Sequence, residues 1–175
     1  MHPLENSTDI LGLIAARRDR RPARPLAFLD ELFRRLARCE MTEVGVTEEL
    51  IWDVWMDHPH RAAAAALKQA TRDIAARRYD IAETRLMLLL RRAPDFAEAW
   101  HKRAVLYYLL GRDQESLHDI RRTLELEPRH FAAMLHFAEI LVDGGAAAEA
   151  RFAFHAALTL HPHLPRARAA LADKA

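Results

Sequence analysis

Ten of the 175 residues are histidine, and His58-Pro59-His60 and His161-Pro162-His163 each set a proline between two of them. Neutral imidazole is a ligand for zinc, copper and nickel, so metal ligation is the first chemistry to weigh. Such a site needs several nitrogens within roughly 2.0 to 2.1 Å of one ion. Cys39 is the only cysteine, which excludes an intramolecular disulfide and a cysteine zinc site; it reads as a small buried residue. His101, His118, His136 and His155 fall in segments of helical pattern, with no Asp or Cys at a spacing that would form a catalytic dyad. His118 and Asp119 are neighbours in sequence and are expected to point to different helix faces. The chain has no Gly-rich phosphate loop, HExxH or nucleophile elbow. No enzyme is expected.

Whether the histidines can meet depends on the elements that carry them. Only five glycines occur, strong helix formers dominate, and alternating β-branched runs are missing, so the chain reads as all-α. Pro94, Pro128 and Pro162 recur every 34 residues. The same step links the small residues Ala82, Ser116 and Ala150, the alanines at 70, 104 and 138, the apolar Leu86, Ile120 and Phe154, and the glycines Gly111 and Gly145. A period near 34 is the signature of stacked helix pairs. Helices are predicted near 62–76, 79–92, 96–110, 113–127, 130–143 and 147–160. Small residues at the repeated positions allow helix axes within roughly 8 to 10 Å, and Trp100, Tyr107, Ile120 and Phe154 should fill the core. The glycines suit left-handed helix ends, and the prolines stop the second helix of each pair.

In the middle unit, AEAWHKRAVLYYLLGRDQESLHDIRRTLELEP, Trp100, Tyr107, Gly111 and Pro128 stand with Ser116 and Ile120 in a pattern that resembles the tetratricopeptide repeat (TPR) family, of bacterial type. The flanking units match less fully; in the middle unit Arg103 replaces a usual Leu, and the first helix of the first unit, with Ala66 and Ala70, lacks Trp or Tyr. The resemblance implies a right-handed superhelical α-solenoid of antiparallel helix pairs. Three repeats are expected at 63–96, 97–130 and 131–164, preceded by a degenerate helical hairpin over 26–62 and followed by a capping helix over 165–175. In that hairpin MTEVGVT reads as a turn with Thr47 as N-cap. Ile51, Trp52, Trp55 and Met56 are expected to pack on the alanine-rich first helix. Residues 1–25, with ARRDRRPARP, read as a solvated, flexible arm.

This register places His58, His60, His130, His161 and His163 in the turns between repeats, where successive units are displaced by at least a helix-packing distance. Only His130 with His161 or His163 could meet. The histidines are therefore read as helix punctuation, and neither a metal nor a cofactor is expected; a histidine-based metal binder is the third choice. The concave face built by the first helices should present Leu67, Thr71, Ile74, Glu98, His101, Val105, Tyr108, Leu135, Glu139 and Val142. Its apolar character suits an extended or helical peptide anchored by Tyr108. The competing occupant is a terminal segment of the same chain. The resemblance implies a non-catalytic interaction module or assembly adaptor for an unidentified protein or peptide. Family members that clamp a C-terminal carboxylate do so with Lys and Asn, and the matching positions here hold residues such as Leu67, Thr71, His101 and Val105. The second choice is a homo-oligomer formed through the Trp52/Trp55 hairpin or exposed edges.

A net charge of +1 supplies no field for nucleic acid or anionic membrane, and 51% hydrophobic with 29% charged residues is ordinary for a soluble domain. No stretch approaches the roughly 20 apolar residues of a membrane span. Acidic Glu5 and Asp9 precede the short apolar run Ile10 to Ala16, the wrong polarity for a signal peptide, so the cytoplasm is the expected compartment, with the periplasm the alternative if the true start codon adds a signal peptide.

Overall fold

The alanine, leucine and arginine runs form helices wherever the apolar positions return every three to four residues. A computed structural model describes residues 7–24, 26–38 and 41–172. Its helices are α1 (Ser7–Ala15), α2 (Ala27–Leu36), α3 (Met41–Trp55), α4 (Arg61–Ala75), α5 (Tyr79–Arg92), α6 (Ala97–Leu109), α7 (Asp113–Leu126), α8 (Phe131–Asp143), α9 (Ala147–Leu160) and α10 (Pro165–Ala172). From α4 to α9 their bounds follow the predicted segments closely. Pairs α4–α5, α6–α7 and α8–α9 pack internally, and α5 with α6 and α7 with α8 join one pair to the next. The architecture is an all-helical TPR-like solenoid.

The small residues sit where the helices approach. Ala70, Ala104, Ala138, Ala82 and Ser116 are fully buried, and Ser116 Oγ donates to the Ala104 carbonyl at 2.9 Å, tying α7 to α6. Tyr107, Ile120 and Phe154 are buried, while Trp100 is half-buried and donates from Nε1 to the Pro94 carbonyl. After α6 and α8 the chain turns through Gly111 (φ 69°) and Gly145 (φ 75°). In each turn the next residue's N–H reaches back five residues, from Arg112 to Tyr107 and from Ala146 to Leu141. The same turn after α4 is made by Arg77 at φ 57°, a left-handed conformation on a residue with a Cβ.

The departure at Arg103 has a structural account. Its guanidinium grips Asp119 bidentately, at 2.6 and 2.9 Å, and Asp119 is fully buried in α7. An arginine on α6 is thus the partner that makes a buried carboxylate tolerable. α10 packs on α9 with Ala167, and with Leu164 just before it, buried, while Arg166 and Arg168 are exposed. The expectations for Cys39 and for Asp173 and Lys174 lie outside the described residues.

Three expectations for the N-terminal region are corrected. Residues 7–24 are not laid out as a solvated arm: α1 buries Ile10 and Ile14 completely against α7 and α9. The arginines beyond it cap carbonyls, Arg20 reaching Leu124 O and Glu125 O at 3.1 Å, while Ala23 N–H donates to Leu126 O at 2.7 Å. MTEVGVT is not a turn, because α3 runs unbroken from Met41; buried Thr47 donates its hydroxyl to Glu43 O one turn back and caps nothing. The α2–α3 hairpin does not stack on α4 either. Phe33, Ile51 and Trp55 join the core of the later repeats, and only Met56 packs beside the first-repeat cluster. The reason is surface chemistry. α4 offers small alanines, whereas the start of α8 offers Phe131 and His130, against which aromatic rings bury more area and find edge and face partners.

Candidate functional site

Each histidine-proline turn is a local device. His58 Nδ1 accepts the N–H of His60 at 3.2 Å, and His161 Nδ1 accepts that of His163 at 3.3 Å. Glu127, directly before Pro128, does the same for Arg129 N–H at 3.0 Å. In His-Pro-His the first side chain thus satisfies an amide freed by the turn. Because Nδ1 accepts, Nε2 carries the proton and donates to a carboxylate: Asp95 for His58 at 3.4 Å and Glu48 for His161 at 3.2 Å.

His130 follows the same rule in a different place. Its Nδ1 accepts Ala133 N–H at the start of α8, and its Nε2 donates to Glu98 Oε2 at 2.8 Å. Glu98, His101 and His130 are all buried, with one ligand-type atom from each within 4.8 Å of the others. Sequence register paired His130 only with His161 or His163, so this meeting corrects it. The donor set could hold a metal ion in its residue types, but the fit is poor. A metal on His130 Nε2 would need the proton moved to Nδ1, breaking the bond to Ala133 N–H, and Lys102 Nζ already stands 2.8 Å from Glu98 Oε1. Burial works to raise the Glu98 carboxyl, yet Lys102 and the two histidines hold it well below the usual range. Burial lowers His101 to about 4 against the pull of Glu98, leaving it neutral at pH 7. The cluster is a neutralised buried carboxylate.

The hairpin covers this cluster. Trp55 stacks on His130 with ring centroids 4.1 Å apart, Trp52 lies over His101 at 6.5 Å, and Lys102 Nζ sits 4.9 Å from the Trp52 ring. Beyond Trp52 the concave face stays open as a groove of about 560 Å³ between α6, α8 and α10. It brings together His101, Val105, Tyr108, Leu135, Glu139 and Val142 from the sequence reading. The other four lie elsewhere. Leu67 is fully buried between α4 and α5, Ile74 packs at the edge of that core, and half-buried Thr71 donates to the Leu67 carbonyl. Glu98 lies beneath the hairpin. Two polar groups edge the groove: Tyr108 Oη donates to Asp143 at 2.7 Å, which raises the phenol to about 12, and Arg166 meets Glu139 at 3.0 Å.

Sequence reasoning missed His136 and the α10 wall. His136 lies three residues before Glu139, a spacing that shares a helix face and could have revealed it. Both its ring nitrogens are buried without a hydrogen-bond partner, and burial lowers the ring to about 3. The expectation for His118 is also corrected: its Nδ1 lies 3.0 Å from Asp119 Oδ1. That carboxylate is already held by Arg103, which leaves it a poor orienter of a catalytic base. Among the described residues no helix is long and apolar enough to cross a membrane.

Residues 97–130, the middle pair, match the family model described as tetratricopeptide repeat. A TPR repeat-containing protein of Rhizobium etli is 31% identical over 123 residues, which is 69% of this chain and 60% of the relative, so the chain spans less than two thirds of the relative's length. Repeats of this family generally mediate contacts between proteins. The protein is a member of the tetratricopeptide repeat family.

Proposed function

We propose that the protein is a non-catalytic interaction module, built on repeats at 63–96, 97–130 and 131–164, that takes a short apolar segment of another protein in the groove between α6, α8 and α10. The observation that carries this reading is the open apolar stretch of Val105, Leu135 and Val142. It is edged by the acidic Glu139 and Asp143 and the basic Arg166. An apolar anchor flanked by charge of both signs fits such a site. Trp52 and Trp55 do not serve as a docking surface here, since both turn inward on His101 and His130.

A displayed library of short peptides selected on the wild-type protein tests the reading. Enriched sequences should share an apolar anchor, and the double variant Val105→Asp, Leu135→Asp should lose them while keeping its helical circular dichroism. No enrichment, or enrichment that survives both substitutions, would remove the groove from the account.

A further inference from the structure

The first helix pair carries a surface that none of the described residues covers. In a stacked solenoid each pair is covered on both sides by a neighbour, and a terminal pair needs a polar outer face. α6 covers one side of α4–α5. On the other side the α2–α3 hairpin is displaced onto α8, and a concavity of about 810 Å³ remains. Its walls are Ala62, Ala63 and Ala66 of α4 with Ile81 and Leu88 of α5, the latter two each 49% exposed. Such a face is apolar where a cap would be polar.

Its charges are arranged in a particular order. Asp80 stands at the start of α5 and Arg92 at its end, both lining the same concavity, and neither has an ion-pair partner among the described residues. Twelve residues of helix separate them by about 18 Å. Ile81, Thr84 and Leu88 lie between, at i, i+3 and i+7, on one stripe.

We infer that this face binds a second copy of the chain, forming a two-fold dimer in which α5 packs antiparallel against α5 of the partner. A two-fold axis near Arg85, whose own charge is met by Asp73, brings Ile81 and the partner subunit's Leu88 to within about 2 Å of level, and Asp80 and the partner subunit's Arg92 to within about 3 Å of level, offsets that side chains of these lengths span, twice over. Opposite charges at the two ends of one apolar stripe are self-complementary only in that antiparallel pairing. The α4 alanines let the second helix approach closely. The two-fold interface uses neither the peptide groove nor the Trp hairpin.

Sedimentation velocity on the full chain, up to about 1 mM, tests the inference. A concentration-dependent dimer is expected, and Leu88→Glu should make it monomeric with unchanged circular dichroism. Asp80→Arg and Arg92→Asp, each alone, should weaken self-association about tenfold or more through paired like charges. Mixed in equal amounts, these two charge variants should form a heterodimer as tight as the wild-type dimer, because each then meets its opposite. A strict monomer at the highest concentration overturns the inference, whether the face is simply bare or reserved for another protein. A dimer indifferent to Leu88→Glu, or no recovery on mixing, overturns it as well. Val105→Asp, Leu135→Asp should leave dimerisation intact, which separates this outcome from that of the peptide groove.

Discussion

In the α4–α5 pair the outer stripe of Ile81 and Leu88 is half exposed, and the turn after α4 is forced through Arg77 in a left-handed conformation. In the two later pairs α1 lies across α7 and α9, the aromatic hairpin seals the start of α8, and glycine makes the equivalent turns. All three pairs obey one 34-residue pattern, yet they differ in what lies against them. The contrast teaches that a repeat pattern fixes how helices within a pair pack but not which neighbour covers the pair. The latter is decided by where large aromatic surfaces find partners.

The contrast can be broken most sharply at Trp55. It is 6% exposed and touches Phe33, His130 and Phe131, so Trp55→Ala should cost about 3 to 5 kcal/mol. Urea denaturation should show that loss together with release of the hairpin; a value near zero would mean that the hairpin contributes nothing to the later repeats. Next, Ala138→Leu inserts bulk where the structure leaves no space and should cost about 1 to 3 kcal/mol, whereas Ala62→Leu, on the bare first-pair face, should change stability by less than about 0.5 kcal/mol. Equal effects at the two sites would show the first pair to be as tightly enclosed as the third.

Acid should act mainly on the enclosed side. His136 and His101 stay neutral in the folded protein to about 3 and about 4, mostly through burial, while an unfolded histidine takes a proton near 6.5. The unfolded chain therefore binds more protons below that value. The full stability present above pH 6.5 is lost progressively as pH falls, by up to about 1.4 kcal/mol per pH unit for each ring. His136→Phe should flatten this slope between pH 6.5 and 4.5 and leave the variant about 1 to 2 kcal/mol less acid-sensitive at pH 5. Thermal melts across pH that superimpose for the two proteins would contradict this. The smallest effect belongs to the first pair: Arg77→Gly should stabilise by about 0.5 to 1 kcal/mol by relieving the left-handed backbone, readable as a raised Tm. A lowered Tm would show that the Arg77 side chain matters more than its backbone.

Much of this fold was legible because period, proline and glycine act locally. The six helices from α4 to α9, the close-packed alanines and the Gly111 and Gly145 turns all follow from spacing within one unit. The N-terminal arrangement was not legible, since α1 and the hairpin are amphipathic segments whose pattern states that they must bury a face but not against which helices. Six of the ten residues expected on the concave face line one open concavity for the same local reason. The rest failed where register alone decides direction: Leu67 turns into the α4–α5 core, and Glu98 is roofed by a hairpin far away in sequence. Thr47 misled because a hydroxyl that would cap a helix start can equally bond one turn back inside a helix.

The bond from Arg17 to Thr159 joins residues 142 positions apart. Solenoids ordinarily grow by nearest-neighbour addition, each unit ordering on the one before it. Here α1 finds its surface only once α7 and α9 have formed, so its docking waits for helices far along the sequence. That long-range closure is expected to couple α1 to the α7–α9 region and to make the docking of α1 a slow phase of folding. Stopped-flow refolding of an α1-deleted chain should lack that phase.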